Sequence, residues 1–332
     1  MTGGSLLPAR RLGTAGIEVS ALGLGTLTLG REVDAGTAIR LVRRYVDAGG
    51  RLVDTANTYS RGGAEEIVGR ALEGAIRREV TIATKVRFRM GPEPNDAGAS
   101  RRHIVAAVDD SLRRLRTDYI DLYQLHGWDA ATPLERTLPV LDGLVRSGKV
   151  LYVGASNLTA WQLARAHGLA ASRGWERFQA LQLEYSLTCR DAERELLPAC
   201  GGSRTAAIAW APLTGGVLSA KYRLDVEPPL GTRAGGDDRH AVWMRRRITA
   251  RNVAIADEVR RVAGEIGRPP AQVALNWVVD APGLTAALVS VRDERQLDEN
   301  LRAVGWQLPA ELRRRLDECS RIDLGHPHEM GQ

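Results

Sequence analysis

The sequence predicts an α/β protein folded as a (β/α)8 TIM barrel, with residues 1–332 forming one domain. Short apolar runs alternate with amphipathic stretches along the whole chain, which is the order expected of parallel strands joined by helices. The runs are apolar on both faces, as in strands covered by helices outside and filled by side chains inside. A chain of 332 residues is also an ordinary length for a barrel that folds as one unit.

The predicted elements follow one another in the order that a barrel requires. Residues 9–20 are expected to form a small N-terminal β-hairpin, since the glycines within them mark a turn. The eight predicted strands are residues 21–26, 51–56, 80–86, 120–126, 150–156, 178–185, 205–212 and 284–290. Helices are expected near residues 35–48, 64–77, 101–115, 133–147, 159–172, 249–266, 270–280, 293–303 and 309–319. Eight strands with helices between them are the number that closes a (β/α)8 barrel.

Two long loops interrupt this alternation, at residues 89–100 and 214–240. Both follow predicted strands, so both are expected at the C-terminal rim of the barrel, where barrel active sites are built. Loops of this length in a compact domain more often cover or line a binding site than act as spacers. The sequence therefore predicts a site beneath them.

Composition excludes several classes of function. The formal net charge of +6 is spread over helices of mixed sign, which indicates a solvated surface and no nucleic-acid partner. The three cysteines are far apart and lack CxxC spacing, so neither a disulfide framework nor a metal site is expected. No apolar run reaches membrane-spanning length, and residues 1–10 do not resemble a signal peptide. We therefore expect a cytoplasmic protein without a membrane partner.

Four polar residues stand at or just after the ends of successive strand-like runs: Asp54, Tyr59, Lys85 and His126. Parallel strands of one barrel end at the same rim, so these side chains are expected to meet. A buried lysine beside a tyrosine lowers the pKa of the phenol, and a carboxylate beside the lysine fixes its charge and position. A histidine adds a hydrogen-bond donor for an oxygen atom. This combination is suited to proton transfer at a carbonyl group.

A glycine pattern near the N-terminus does not indicate a Rossmann fold. The segment GLGTLTLG (23–30) has Thr28 where the third glycine of GxGxxG would stand. No acidic residue closes a βαβ unit about 20 residues later, as that fold requires. Gly25 is instead expected to let the backbone approach a ligand at the rim.

Polar and aromatic side chains at later strand ends are candidates for holding a cofactor. Ser156 and Asn157 end the fifth predicted strand, and an amide offers the donor and acceptor that a carboxamide needs. Gln182 lies on the sixth strand, and Trp210 on the seventh offers a flat face for ring stacking. A helix N-terminus beside an arginine would bind phosphate at the last strand–helix junction. The candidates there are Ser290, Arg292, Gln296, Glu299 and Asn300.

A resemblance to a known family extends over nearly the whole chain. The segments that carry it are LVDTANTYSRGGAEEIVGRAL (52–72), IATKV (82–86), TDYIDLYQLHGWD (117–129), SGKVLYVGASNLTAWQL (147–163), LQLEYSL (181–187), WAPLTGGVLSAKY (210–222) and SVRDERQLDENLRAV (290–304). With these motifs in this order, the chain resembles the aldo-keto reductase superfamily. Because the WAPLTGG motif begins with tryptophan, the chain resembles most the branch that includes potassium-channel β subunits and bacterial sugar-type reductases.

This resemblance implies that the protein reduces an aldehyde or ketone to an alcohol with NADPH. Tyr59 would be the proton donor, with its pKa lowered by Lys85. Asp54 would pair with Lys85, and His126 would orient the carbonyl oxygen of a small-molecule substrate. A hydride from the nicotinamide would reach the carbonyl carbon while Tyr59 protonates the oxygen.

The resemblance also implies where the cofactor binds. Ser156, Asn157 and Gln182 would hold the carboxamide, and Trp210 would stack on the nicotinamide ring. NADPH is favoured over NADH because Arg292 would face a 2′-phosphate. The full set of implied cofactor-binding residues is Gly25, Thr26, Ser156, Asn157, Gln182, Trp210, Ala211, Pro212, Leu213, Gly215, Lys221, Arg233, Ser290, Arg292, Gln296, Glu299 and Asn300.

Two positions depart from the pattern of many members of that family. Ser290 stands where they carry glycine, which would change how closely the backbone approaches the cofactor. Asp293 places a negative charge directly after Arg292, which weakens the preference for NADPH over NADH.

Other tryptophan, arginine and histidine residues have weaker assignments. Trp128 is the candidate for lining the substrate pocket, because it follows the fourth predicted strand, whereas Trp161 is expected to pack within a helix. The arginine run 245–247 is expected on an exposed helix face. Surface positions are expected for His103, His167 and His240.

Two alternative functions stay open at this point. One is a cofactor-binding regulatory or interaction subunit with little catalysis, which the intact set of four polar residues argues against. The other is a cofactor-independent lyase or isomerase that forms a Schiff base through Lys85. The sequence specifies neither the carbonyl substrate, with keto-sugars, antibiotic-pathway intermediates and small aldehydes all open, nor the oligomeric state.

Overall fold

Ten strands form a hairpin and a closed barrel in the computed structural model, which describes residues 7–237 and 239–331. The strands are β1 (Ala9–Arg11), β2 (Glu18–Ser20), β3 (Leu22–Gly25), β4 (Leu52–Asp54), β5 (Thr81–Val86), β6 (Ile120–Leu125), β7 (Val150–Ser156), β8 (Ala180–Glu184), β9 (Ala206–Trp210) and β10 (Leu284–Val289). Strands β3 to β10 are parallel neighbours in chain order, and β10 also pairs with β3 to close the ring. The predicted (β/α)8 barrel with its N-terminal hairpin is confirmed.

Helices surround the barrel at most of the predicted positions. They are α1 (Ala35–Asp47), α2 (Gly63–Ala71), α3 (Arg101–Leu115), α4 (Leu134–Arg146), α5 (Ala160–Arg173), α6 (Leu196–Ser203), α7 (Arg239–Arg245), α8 (Ala250–Glu265), α9 (Pro270–Val279), α10 (Glu294–Leu301) and α11 (Ala310–Cys319). Short polar side chains cap several of them. Ser100 accepts a hydrogen bond from the backbone N–H of His103 at the start of α3, which satisfies a donor that the helix leaves free.

Three helical segments differ from the prediction. The helix expected over 64–77 ends at Ala71, and a 3-10 turn follows at Gly74–Glu79, because Gly74 adopts a φ of 84° that a helix cannot contain. Helix α6 was not predicted, since its short sequence LLPACGGS contains a proline and two glycines. Helix α7 begins where the predicted long loop 214–240 ends, and it precedes the predicted helix 249–266.

The hairpin closes the N-terminal end of the barrel. Leu12 and Val19 are fully or almost fully buried in the apolar cluster that fills the barrel interior. Gly13 turns the chain between them with a φ of 55°, and a Cβ there would lie 2.6 Å from the backbone oxygen of Gln179. Because Leu12 and Val19 fill the N-terminal end of the barrel, the C-terminal rim is the end where a site can form.

The inward-facing positions of the strands explain where the functional residues lie. Leu52, Ala83, Leu122, Ala180, Ile208 and Leu288 belong to the interior cluster. Side chains of a strand alternate between its faces, so the next inward position is always two residues further on. Those next positions are Asp54, Lys85, Gln124, Gln182, Trp210 and Ser290. The apolar layer of the barrel is therefore followed by a polar layer at the C-terminal rim.

Two of the surface assignments are wrong, and one lies outside the described side chains. His103, in the first turn of α3, is only 6 % exposed, and Asp96 and Arg89 of the preceding loop lie near it. Arg247 follows the end of α7, and it forms an ion pair with Glu184 instead of lying on an exposed helix face. His167 is half-buried near Phe178. The side chain of His240 is not among those described.

The described residues contain neither a candidate membrane span nor a candidate metal site. None of the helices there combines the length and hydrophobicity needed to cross a membrane. The described His, Cys, Asp and Glu side chains include no group of three or more arranged to hold a metal ion.

Candidate active site

Asp54 and Lys85 form a buried ion pair at the polar layer of the barrel. The Nζ atom of Lys85 lies 2.5 Å from Oδ1 of Asp54 and donates a second hydrogen bond to the backbone oxygen of Thr55, at 2.9 Å. The side chain of Lys85 has no exposed surface and that of Asp54 is 4 % exposed. Burial opposes the charge of Lys85, but Asp54 and Tyr59 together outweigh burial and raise the pKa of the ammonium group.

Tyr59 places its hydroxyl against the same ammonium group. It begins a 3-10 turn, Tyr59–Gly62, that follows β4. Its hydroxyl lies 3.4 Å from Nζ of Lys85. Burial raises the pKa of Tyr59 and the Lys85 charge lowers it, with a net shift upwards because Asp54 adds to the effect of burial. The expected lowering by Lys85 is thus present, but it does not dominate, and Tyr59 is a protonated phenol at neutral pH.

The second carboxylate oxygen of Asp54 accepts hydrogen bonds from two glutamines. Nε2 of Gln182 donates to Oδ2 at 2.7 Å, and Nε2 of Gln124 donates to it at 3.4 Å. Gln182 was predicted as a cofactor ligand, whereas Gln124 was missed. The signal for Gln124 was its place two residues after Leu122 on β6. Both amides hold Asp54 in position beneath Lys85.

His126 is a neutral imidazole on the opposite side of Tyr59. Burial, followed by the charges of Lys85 and Arg87, lowers the pKa of His126 to about 2. The two rings of Tyr59 and His126 meet edge to face with their centroids 5.8 Å apart, and Phe88 packs on His126 at 4.7 Å. A neutral imidazole beside the phenol can donate a hydrogen bond to an oxygen atom without adding a charge.

Asn157 is the centre of a polar cluster at the end of β7. Its Nδ2 atom donates to Oγ of Ser156 at 2.9 Å and to the backbone oxygen of His126 at 3.2 Å. Its Oδ1 atom accepts from Nε1 of Trp210, at 3.0 Å. The positive φ of 57° at Asn157 is one that asparagine tolerates better than most residues. These contacts fix the edge of the Trp210 ring beside the amide.

A cavity of about 760 Å³ joins these groups to a positively charged region at the other end of the rim. Asp54, Tyr59 and His126 line it, with Lys85 directly behind them. Every residue that the resemblance assigns to a cofactor also lines this cavity. Gly25 is among them, and a Cβ there would lie 3.0 Å from Oγ of Ser290. The structure thus brings the predicted catalytic and cofactor residues into one space.

Three cations that affect one another line the charged end of the cavity: Lys221, Arg233 and Arg292. Arg295 also lines the cavity, but it forms an ion pair with Glu299 at 3.4 Å. Desolvation, together with the charges of Arg292 and Arg233, lowers the pKa of Lys221 to about 8. Gly216 makes room for this lysine, since a Cβ there would lie 2.7 Å from its Nζ atom. A cluster of positive groups at short range favours an anionic ligand such as a phosphate.

Asp293 does not face this cation cluster as a free carboxylate. It is the N-cap of α10, where its side chain accepts a hydrogen bond from the backbone N–H of Gln296 at 2.8 Å. The expected weakening of phosphate binding by Asp293 is therefore reduced, because its charge is directed to the helix N-terminus.

The cavity is also lined by residues to which the sequence assigned no role in the site. They are Phe88, Trp243 and Arg247, and the guanidinium of Arg247 stacks over the Trp243 ring at 4.2 Å. Trp128, the predicted substrate residue, does not line the cavity; it packs edge to face on Trp161 with centroids 5.6 Å apart. Trp128 and Phe88 both follow a barrel strand, so their positions in the sequence did not show that Phe88 is the one that lines the cavity.

Fold and site together define a barrel oxidoreductase that acts on carbonyl compounds. The chain belongs to the Aldo/keto reductase family, whose model matches residues 21–321.

The related proteins align with this chain over most of the length of both sequences. The uncharacterized oxidoreductase YrpG of Bacillus subtilis is 35% identical over 92% of this chain and 94% of its own. The versiconal hemiacetal acetate reductase of Aspergillus parasiticus is 33% identical over 96% of this chain and 98% of its own. A probable voltage-gated potassium channel subunit beta of Arabidopsis thaliana is 33% identical over 89% of this chain and 90% of its own. The predicted family resemblance is confirmed.

Proposed function

We propose that the protein is an NADPH-dependent reductase that converts an aldehyde or ketone to an alcohol, with Tyr59 as the proton donor. The observation that carries this proposal is the contact between the Tyr59 hydroxyl and the buried Lys85 ammonium group, 3.4 Å apart, at the wall of the cavity. A phenol in direct contact with a fixed positive charge can release its proton, because that charge stabilises the phenolate that results.

The residues around the cavity are suited to a nicotinamide cofactor. Ser156, Asn157 and Gln182 present amide and hydroxyl groups to one end, beside the flat ring of Trp210, and a carboxamide requires such donors and acceptors. The cation cluster lies at the other end of the same cavity, where phosphates would bind. The bound cofactor would supply the hydride, and the protein supplies its orientation and the proton.

Each catalytic side chain then has a separate task. Lys85 holds a positive charge next to Tyr59, and Asp54 keeps Lys85 charged and immobile. His126 is neutral, so it can donate a hydrogen bond to the carbonyl oxygen and place it beside the Tyr59 hydroxyl. Because these groups are held by the barrel before a substrate arrives, little reorganisation is required during the reaction.

The preference for NADPH is supported by the charge of the cluster. Lys221, Arg233 and Arg292 bring three cations to one end of the cavity. NADPH carries one phosphate group more than NADH, and each phosphate contact with an arginine is a strong, charge-assisted hydrogen bond. The cluster therefore favours the cofactor with the larger negative charge.

Replacement of Tyr59 by phenylalanine tests the proposal. We expect Tyr59→Phe to lower kcat for a panel of aldehydes and ketones by about a thousandfold, since it removes the proton donor. NADP⁺ binding, followed by quenching of tryptophan fluorescence, should change less than about twofold, because Tyr59 is expected to contact the substrate and not the phosphates.

Tyr152→Phe is the matched control, since Tyr152 is a partly buried residue that packs against the interior cluster and does not line the cavity. It should retain both turnover and binding. Turnover of carbonyl compounds by Tyr59→Phe at the native rate would contradict the assignment. A native protein that binds NADP⁺ tightly but turns over no carbonyl compound would instead favour a regulatory subunit.

A further inference from the structure

Glu32 lies behind the cation cluster, in the loop between β3 and α1. Its Oε2 atom accepts a hydrogen bond from Nε of Arg292 at 2.7 Å, and its Oε1 atom accepts one from Arg31 at 2.6 Å. Its side chain is 19% exposed, and that of Arg292 is 23% exposed. Glu32 itself does not line the cavity, so it approaches Arg292 from the side away from a ligand.

The cations that line the cavity repel one another when no anion is bound. Lys221, Arg233 and Arg292 are close enough for the two arginines to lower the pKa of the lysine, and Glu32 opposes that effect. Burial works against the charge of Glu32, but Arg233 and Arg292 outweigh it and lower the pKa of its carboxyl group. Glu32 is therefore ionised and offsets part of this repulsion.

The hydrogen bonds of Arg292 occupy two of the five N–H groups of its guanidinium, including the one on Nε. Glu32 accepts from Nε, and the backbone oxygen of Gly231 accepts from Nη1. An arginine binds a phosphate most strongly when two parallel N–H groups are available and its charge is not already neutralised. Both conditions are weakened here by Glu32.

We infer that Glu32 is an internal counter-ion of the cation cluster, which stabilises the free protein and limits the affinity for the phosphate groups of the cofactor. The inference rests on the proposed function for the identity of the ligand. Glu32 acts through Arg292, so it is a positioning residue that also sets how strongly NADPH is preferred over NADH. Glu32 lowers the affinity for NADPH more than that for NADH, because the additional phosphate of NADPH adds charge at the cluster.

The substitution Glu32→Gln tests this, since it keeps the shape of the side chain and removes only its charge. We expect the Kd for NADP⁺ to fall by about fivefold and that for NAD⁺ by less than about twofold, both measured by tryptophan fluorescence. We also expect a lower Tm for the free protein and a larger rise in Tm on adding NADP⁺, because the ligand then replaces a missing counter-charge.

Glu294→Gln is the matched control, with the same change in charge at a carboxylate that pairs with Arg40 and does not line the cavity. It should leave both Kd values unchanged. Weaker NADP⁺ binding by Glu32→Gln, or an equal change for NADP⁺ and NAD⁺, would overturn the inference.

Adenosine 2′,5′-bisphosphate separates this inference from the proposed function, because it carries phosphates but no nicotinamide. Tighter binding of this probe by Glu32→Gln supports the counter-ion role even if the native protein reduces no carbonyl compound. Unchanged or weaker binding of the probe overturns the counter-ion role, even if the native protein is an active reductase.

Discussion

Lys85 keeps a positive charge although its side chain has no exposed surface. An isolated ammonium group in such a place would lose its proton, since burial penalises the charged form. Asp54 prevents this at a distance of 2.5 Å, and Gln182 and Gln124 in turn satisfy the other oxygen of Asp54. The charge beside Tyr59 thus depends on hydrogen bonds among side chains from four strands of the barrel, β4, β5, β6 and β8.

The charge of Lys221 gives cofactor binding a pH dependence. Its pKa in the free protein is lowered to about 8, so Lys221 is protonated below that pH and neutral above it. A bound phosphate favours the protonated form, so binding takes up a proton once the pH exceeds the pKa of the free lysine. We expect the Kd for NADP⁺ to be nearly constant below pH about 8 and to rise above it.

Fluorescence titrations of NADP⁺ between pH about 7 and about 9.5 would show this dependence, and Lys221→Gln should bind more weakly but lack the rise. A Kd for the native protein that stays constant through this range would mean that Lys221 does not contact the phosphates.

At the scale of the elements, apolar runs were sufficient to predict all the barrel strands. Their inward positions then determine most of the site, since Asp54, Lys85 and Gln182 each lie two residues beyond an inward apolar side chain. Helix boundaries were harder to predict where glycine interrupts the pattern. At Gly74, the left-handed backbone ends a helix that the apolar periodicity would have continued.

Several of the missed residues, among them Phe88 and Glu32, lie in loops, where no periodicity indicates the direction of a side chain. Phe88 lines the cavity from the segment after β5, and Trp243 lines it from the short helix α7, which the sequence did not predict. Glu32 was missed because its partner, Arg292, is distant in sequence and meets it only when β10 closes the barrel against β3. The direction of the Trp128 side chain likewise depends on tertiary packing, since its ring lies against Trp161.

The hairpin that closes the lower end of the barrel should contribute to stability and not to catalysis. Gly13→Ala combines a φ of 55° with a Cβ 2.6 Å from a backbone oxygen, so we expect a loss of about 2 kcal/mol in the free energy of unfolding. Urea denaturation would measure this, and kcat should be unchanged.

Gly16→Ala in the same hairpin is the control. Gly16 has a φ of 76° and no atom within 4 Å of an added Cβ, so the substitution should cost only the backbone strain, about 1 kcal/mol. Equal losses for the two variants would show that the contact between the hairpin and the barrel is unimportant.

At the scale of the whole molecule, three distant segments meet over the charged end of the cavity. Arg292 joins the loop after β10 to Glu32, in the loop after β3, and to Gly231, in the long loop after β9. A ligand that contacts Arg292 and Arg233 therefore affects loops that begin on separate strands. Binding at this end of the cavity is expected to couple these loops.

Protection of the long loop from trypsin would reveal that coupling. Arg223 is exposed within this loop, and we expect saturating NADP⁺ to slow cleavage after it by about tenfold, because binding opposes local opening. Mass spectrometry of the fragments over time would measure this. Arg78, exposed in the 3-10 turn before β5, is the internal comparison and should be cut at the same rate with and without cofactor. Equal protection at both sites would indicate general stabilisation of the protein.

The separation of the barrel interior into an apolar layer and a polar layer has a consequence for how such a chain can change. Substitutions in the upper layer alter the reaction that the rim supports, while the Leu and Ala side chains below still hold the strands together. New activities can therefore be selected, or designed, while the apolar core of the barrel stays unchanged. Substitutions in the lower layer would instead destabilise the barrel and so reduce every activity that it supports.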